Sequence, residues 1–269
     1  MSHTALQRVI VRMLYDPQFV TQIFNDPATA LTNEHLSADE RSWLVQSDRR
    51  AFRVDTLRRA RTLTALVEEY PVSCHSWVGK SGNTDALDGF FSETRFHSCI
   101  QSRGSLALAF GDHLLGPELI RRCPELRSFA TLEQKMAGLR RTQPAEKTTN
   151  ALCLVPKTAV ISLPEGAVFN YQTILEQLTQ HPEGLVAGAL KTSTDMGLVP
   201  TKGTEWLRIA MASETGNISL EILPDTLAEL LAALPLERAI LEQQTSSLGA
   251  TADEAREIIT ELIEDGVIH

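Results

Sequence analysis

His97 and Cys99, two residues apart, and the adjacent pair Cys74 and His75 are side chains that could ligate a metal ion or supply a nucleophile and its base. Neither pair has the spacing of a zinc site, and no carboxylates cluster beside them. Free cysteine near a helix more often packs as a small apolar group. Gly79, Lys80 and Ser81 resemble the end of a phosphate loop, but Cys74 stands where the loop's first glycine is required. GxSxG, GxGxxG and HExxH motifs are absent from the sequence. Arg95 and Arg103 flank the segment bearing His97 and could clamp a carboxylate, with ordinary surface ion pairs as the plainer reading. No set of residues here specifies a reaction.

A different chemistry is concentrated between Ser47 and Pro71. This stretch carries arginines at 49, 50, 53, 58, 59 and 61 in a chain whose formal net charge is −9. At about 100° per residue, Phe52, Ala60, Leu63, Leu66, Val67 and Tyr70 gather on one face of a helix, opposite Arg50, Arg58 and Arg61. Arg59 falls at the edge of the apolar stripe, where a guanidinium needs a carboxylate, a carbonyl or a bound anion. Either an internal salt bridge or an anion-reading site on a partner answers that need.

The 269 residues exceed a usual single domain, and a hydrophobic fraction of 43% with 22% charged residues is that of a globular protein. No apolar run approaches a membrane span, and no signal peptide core is visible, so a cytoplasmic location is expected. Cysteines at 74, 99, 123 and 153 show no CxxC spacing, and reduced thiols are expected. Charge is unequally divided. Residues 1–145 hold 18 Lys and Arg against 16 Asp and Glu, a balance of +2, whereas 146–269 hold 7 against 18, a balance of −11. An acidic second half argues against nucleic acid, whose affinity rests on neutralised phosphates.

These groups must be positioned by elements legible in the chain. Leu6, Val9, Ile10, Met13 and Leu14 mark a helix over about 4–15. Asp16 and Pro17 then cap and open a second helix, and Ser37 with Glu40 forms a capping box for a third. The arginine helix follows, with 78–83 read as a loop, and 85–96, 105–115, a piece after Pro117 and 124–140 as helices. The composition of 142–150 is that of a linker. Beyond it strands are expected at 151–155 and 158–163, a helix at 169–178, a hairpin of 205–212 with 218–223, and helices at 225–234, 236–245 and 251–266. The expected fold class is α+β: an all-helical domain, 1–141, followed by a small winged-helix-like α+β domain, 151–269. Such a module binds DNA or a peptide added to a sheet edge, and acidity favours the peptide.

One resemblance rests on Phe52 and Arg53, Leu57 and Arg58, Leu66, Tyr70 and Pro71, Gly79, Phe90 and Phe91, Arg103 and Gly104, Gly111, Pro124, and Leu132 with Glu133. Over roughly the first half, this pattern resembles the helical partner proteins encoded with multinuclear non-haem iron enzymes that modify peptide natural products. It looks most like the partner in 3-thiaglutamate biosynthesis, where the β-carbon of a peptide's C-terminal cysteine is excised, and more loosely like the methanobactin-pathway partner. The resemblance implies that a barrel-fold enzyme holds the iron and that this chain carries no cofactor. Its role would be to bind a ribosomal precursor peptide and present its cysteine. Arg53, Arg58, Arg59, Arg95 and Arg103 are the candidates for the partner or a peptide carboxylate, and Trp206, Arg208, Ile209, Ile218 and Leu220 those for pairing with the leader. A winged-helix transcriptional regulator and an independent enzyme using Cys99 or His97 are the competing expectations.

Overall fold

A computed structural model describes residues 3–52, 56–142, 151–180, 203–212 and 215–269. Among these, two compact units separate: Met1–Gln134 belongs to the first, and Lys135–Glu176 and Gly197–His269 to the second, with Gln177–Gln180 grouped with the first. The fold class is α+β, mostly helical with one small antiparallel sheet.

The first unit is built of helices. In order these are α1 His3–Tyr15, α2 Pro17–Asn25, α3 Pro27–Ala30, α4 Ala38–Gln46, α5 Thr56–Glu69, α6 Pro71–Ser81, α7 Asp85–Gly89, α8 Thr94–Ser102, α9 Leu106–Leu114, α10 Pro117–Arg122 and α11 Leu126–Arg141. The division between the units falls inside α11. Local signals set several starts. Asp16 accepts from the amides of Gln18 and Phe19 and so caps α2, while Ser37 and Glu40 form the reciprocal box that opens α4.

The helix α6 lies at the centre, with Val72, Ser73, Cys74, His75, Trp77 and Val78 all buried. Its own N-cap residue, Tyr70, supplies no side-chain cap. Glu133 of α11 does so instead: its carboxylate is fully buried and accepts from the Val72 amide at 2.9 Å and the Ser73 amide at 3.1 Å. Tyr70 turns inward, where its hydroxyl donates to the Ala107 carbonyl at 2.8 Å. Gly111 makes this possible, because a Cβ there would lie 2.5 Å from the Tyr70 hydroxyl. Around this point Tyr70, Phe90, Phe91, Phe96 and Phe110 pack ring against ring.

Four expectations change. Residues 78–81 are not loop but the last turn of α6, which ends on Gly82 at φ +74. The glycine and serine content marks a left-handed cap, placed a turn later than composition suggests. Residues 85–96 are not one helix. Gly89 and the need to bury both Phe90 and Phe91 tighten the chain into a 3-10 turn, Phe90–Ser92, before α8 begins. The 47–71 stretch is a 3-10 turn, Arg49–Phe52, and then α5, with 53–55 outside the described residues. In place of a strand, 151–155 forms only two isolated bridges, Leu152 with Leu236 and Leu154 with Ile268. The expected linker also lies outside the described residues, apart from Thr142.

The second unit contains β1 Thr158–Pro164, most of α12 Ala167–Gln180, β2 Thr204–Met211, β3 Ile218–Leu223, α13 Asp225–Ala232, α14 Arg238–Ser247 and α15 Ala252–Glu264. The strands form an antiparallel sheet in the order β1-β2-β3, so the hairpin is present as expected. Val160, Trp206 and Leu223 share one face and pack with Leu230, Leu231, Leu241, Ile259 and Leu262 of the three C-terminal helices. Glu205 of β2 accepts from the amides of Gly166 and Val168 and so caps α12, repeating in this unit the device that starts α6.

Removal of the Glu133 carboxylate leaves two buried amides unpaired. Glu133→Ala is expected to destabilise the first unit by about 3 kcal/mol in urea titration. Glu133→Gln, which keeps one acceptor, should cost less.

Candidate functional site

Alternation along β2 decides which backbone groups of the sheet are left over. On the β1 side, the Met211 amide donates to the Lys157 carbonyl and the Glu165 amide to the Gly203 carbonyl. With the register of β1 on β2, odd-numbered residues of β2 therefore bond to β1. On the other side the Ala212 amide donates to the Asn217 carbonyl, so even-numbered residues of β2 bond to β3. The β3 partners are then Ser219, Glu221 and Leu223. It follows that Ile218, Leu220 and Ile222 direct their N–H and C=O groups away from the sheet, as do Thr158, Val160 and Ser162 on β1.

The two edges differ in what surrounds them. On β1, Ile161 and Leu163 are buried, and α13 packs against β1 and β2. On β3 only Leu223 is buried, Ile218 and Leu220 are half-buried, and Ile222 is 59% exposed. These three apolar side chains share a face with the buried Leu207, Ile209 and Met211. Among the described residues the edge therefore joins main-chain groups without a strand partner to partly exposed carbon, the combination that pairs with an extended chain.

The expected site residues separate on this geometry. Ile218 and Leu220 lie on the β3 edge, together with Ile222, which the sequence reading did not single out although it continues their alternation. Arg208 sits one strand inward, half-buried, with Nη1 donating to Glu221 at 3.0 Å. Trp206 packs into the helical core, and Ile209 is fully buried, so its side chain belongs to the interior.

In the first unit, Arg59 is an internal tie. Its guanidinium meets Asp88 at 3.2 Å, donates to the carbonyls of Tyr15 and Asp88, and lies 5.1 Å from the Phe91 ring centre. Arg49 donates to Thr21. Arg58 and Arg61 stay on the exposed face of α5 beside Leu57, which is 66% exposed, and Arg53 lies outside the described residues. Arg95 faces Glu93 at the start of α8, while Arg103 is the left-handed cap at its end, about 12 Å away along the axis. The structure does not bring these two arginines together.

The thiols and imidazoles have environments of their own. Burial raises Cys74 well above the usual thiol range, with Glu133 adding to the effect, and pushes Cys123 up to about 12. Burial also raises Cys99, so each of these thiols is held protonated, the opposite of what a nucleophile requires. His97 is buried, and among the described residues neither ring nitrogen has a partner at full hydrogen-bond geometry; burial lowers it to about 4, assisted by Arg12 and opposed by Asp16, a weak backbone contact to Phe91 and Glu34. Among the described residues, no group of three or more His, Cys, Asp or Glu is placed to hold a metal ion. No helix among them is long and apolar enough to cross a membrane.

Two cavities stand out from these surroundings. One, of about 470 Å³, is bounded by Trp77, Lys80, Asp85 and Arg122, with both cations at helix C-terminal ends. The other, of about 600 Å³, adjoins the start of β3. No protein-family model and no curated protein matches the chain.

His97 makes stability depend on pH. An unfolded histidine titrates near about 6.5, so between that value and about 4 the unfolded chain binds a proton that the folded chain does not. The stability attached to neutral His97 is complete above the unfolded value and is lost as pH falls towards the folded one. Urea midpoints measured from pH 7.5 down to 4.5 should decline, and His97→Gln should make that decline shallower.

Proposed function

We propose that this chain is a non-catalytic recognition subunit, in which the second unit binds a ribosomal precursor peptide as an added strand and the first docks on the enzyme that modifies it. The observation that carries the reading is the β3 edge. Ile218, Leu220 and Ile222 offer three N–H and three C=O groups without a strand partner among the described residues, next to partly exposed apolar side chains. Main-chain bonds of this kind hold an extended peptide of many sequences, and side-chain pockets then select among them.

The order of elements, a small sheet followed by three helices, supports a winged-helix-like reading of the second unit. The balance of −11 over residues 146–269 favours a peptide over nucleic acid as its ligand. The resemblance of the first unit to the partners of multinuclear non-haem iron enzymes names the enzyme class, with the iron and the chemistry on a cytoplasmic barrel-fold subunit. On this reading the exposed Leu57, Arg58 and Arg61 of α5 meet that subunit. Binding energy collected on the leader positions the distant cysteine for reaction, the division of labour that remote binding permits.

Proline tests the edge without disturbing the ladder, because the amides of Leu220 and Ser162 both point outward. Linear peptides selected from a displayed library on the full chain should bind Leu220→Pro at least about tenfold more weakly, with binding to Ser162→Pro retained. Loss on Ser162→Pro alone would assign the peptide to β1, and a chain that selects no peptide would refute the reading. For the partner, affinity capture of the tagged chain should recover a barrel-fold iron protein. Stoichiometric iron on the isolated chain would contradict the assignment of iron to that partner.

A further inference from the structure

The 600 Å³ cavity beside β3 is walled mainly by carbon from Val155, Pro156, Ala210, Met211 and Ile218. Its floor crosses the three strands along one register row, Thr158, Ala210 and Ser219. The neutral polar groups are Thr158, Asn217 and Ser219, and the Ser219 hydroxyl already donates to the Ala210 carbonyl. Among the described residues lining it, Arg208 alone carries a charge.

The Arg208 guanidinium is only partly satisfied. Nη1 donates to Glu221 across the strand pair, and among the described residues Nη2 makes no hydrogen bond; Nε is shut off from water and out of a ligand's reach. The remaining Nη2 can donate to a carboxylate, and such a charge-assisted bond is roughly twice as strong as a neutral one. An apolar cavity with one convergent charged group is also the usual form of a selective site, and its volume falls within the roughly 300–1,000 Å³ of such sites.

We infer that this cavity is the selectivity pocket of the β3 edge and takes an acidic side chain, glutamate or aspartate, of the bound peptide. The assignment rests on the peptide reading above. A strand laid along Ile218, Leu220 and Ile222 directs alternate side chains to the face that carries Ser219 and Arg208, and the one opposite the start of β3 enters the cavity. Its methylene groups lie against Val155, Pro156 and Ala210, and its carboxylate meets Arg208.

The test uses the library peptides selected on the unaltered full chain. They should share one position fixed as Glu or Asp, and replacing that residue by Gln should weaken binding about tenfold. On Arg208→Gln the acidic and amide peptides should bind alike. Selected peptides without an acidic position, or an equal Glu-to-Gln loss on both chains, overturn the pocket while leaving edge binding in place. Failure to select any peptide removes both. Should Arg208→Gln not fold, the peptide-side replacement on the unaltered chain decides alone: a loss of about tenfold supports the pocket, and no loss overturns it.

Discussion

A buried carboxylate bonded to two backbone amides is the constraint around which the first unit is arranged. Helix α6 is almost entirely enclosed, and its first amides have no capping side chain of their own. Buried donors must be paired, and water is not at hand to do it. Glu133 therefore has to reach α6 from α11, which fixes where α11 passes, and Tyr70 and Gly111 have to be shaped around the same point. Glu205 imposes a smaller version of the same demand on the second unit by tying β2 to the start of α12.

Seen against this economy of backbone groups, the β3 edge is the exception. The protein takes a carboxylate from sixty residues away to satisfy amides inside the first unit, yet among the described residues Ile218, Leu220 and Ile222 have no strand partner on their outer side, and Ile222 is exposed. Edge strands are ordinarily protected by charge, proline or a covering element. Here the outward residues are three aliphatic ones, and the adjoining cavity is lined by Arg208. Supply of the missing partner by another chain accounts for both features. In the first unit Arg59 and Arg49 are turned to internal use.

Much of the local architecture was legible in the sequence. Asp16 with Pro17, the Ser37 and Glu40 box, and the hairpin around Gly216 all depend on contacts within a few residues, and periodicity or capping chemistry reveals them. Arg59 was legible as a residue needing a partner, because helical arithmetic placed it beside apolar positions, but not which partner it would find. Glu133 appeared within a pattern of resemblance with no role attached, since its bonds to Val72 and Ser73 cross sixty residues. The end of α6 was misplaced because glycine and serine inside 78–83 mark both loops and caps, and only burial of Trp77 and Val78 separates the two. Among the site residues, Ile218 and Leu220 could be proposed from the hairpin, whereas the distinction between an outward edge residue and the buried Ile209 requires the register with β1.

The central claim is that the β3 edge receives a peptide strand, and amide hydrogen exchange reads the relevant groups one by one. Peptide binding to the full chain should slow exchange of the Ile218, Leu220 and Ile222 amides and leave those of Val160 and Ser162 on the opposite edge unchanged. Slowing confined to β1, or no change at either edge with the peptide bound, would contradict the account.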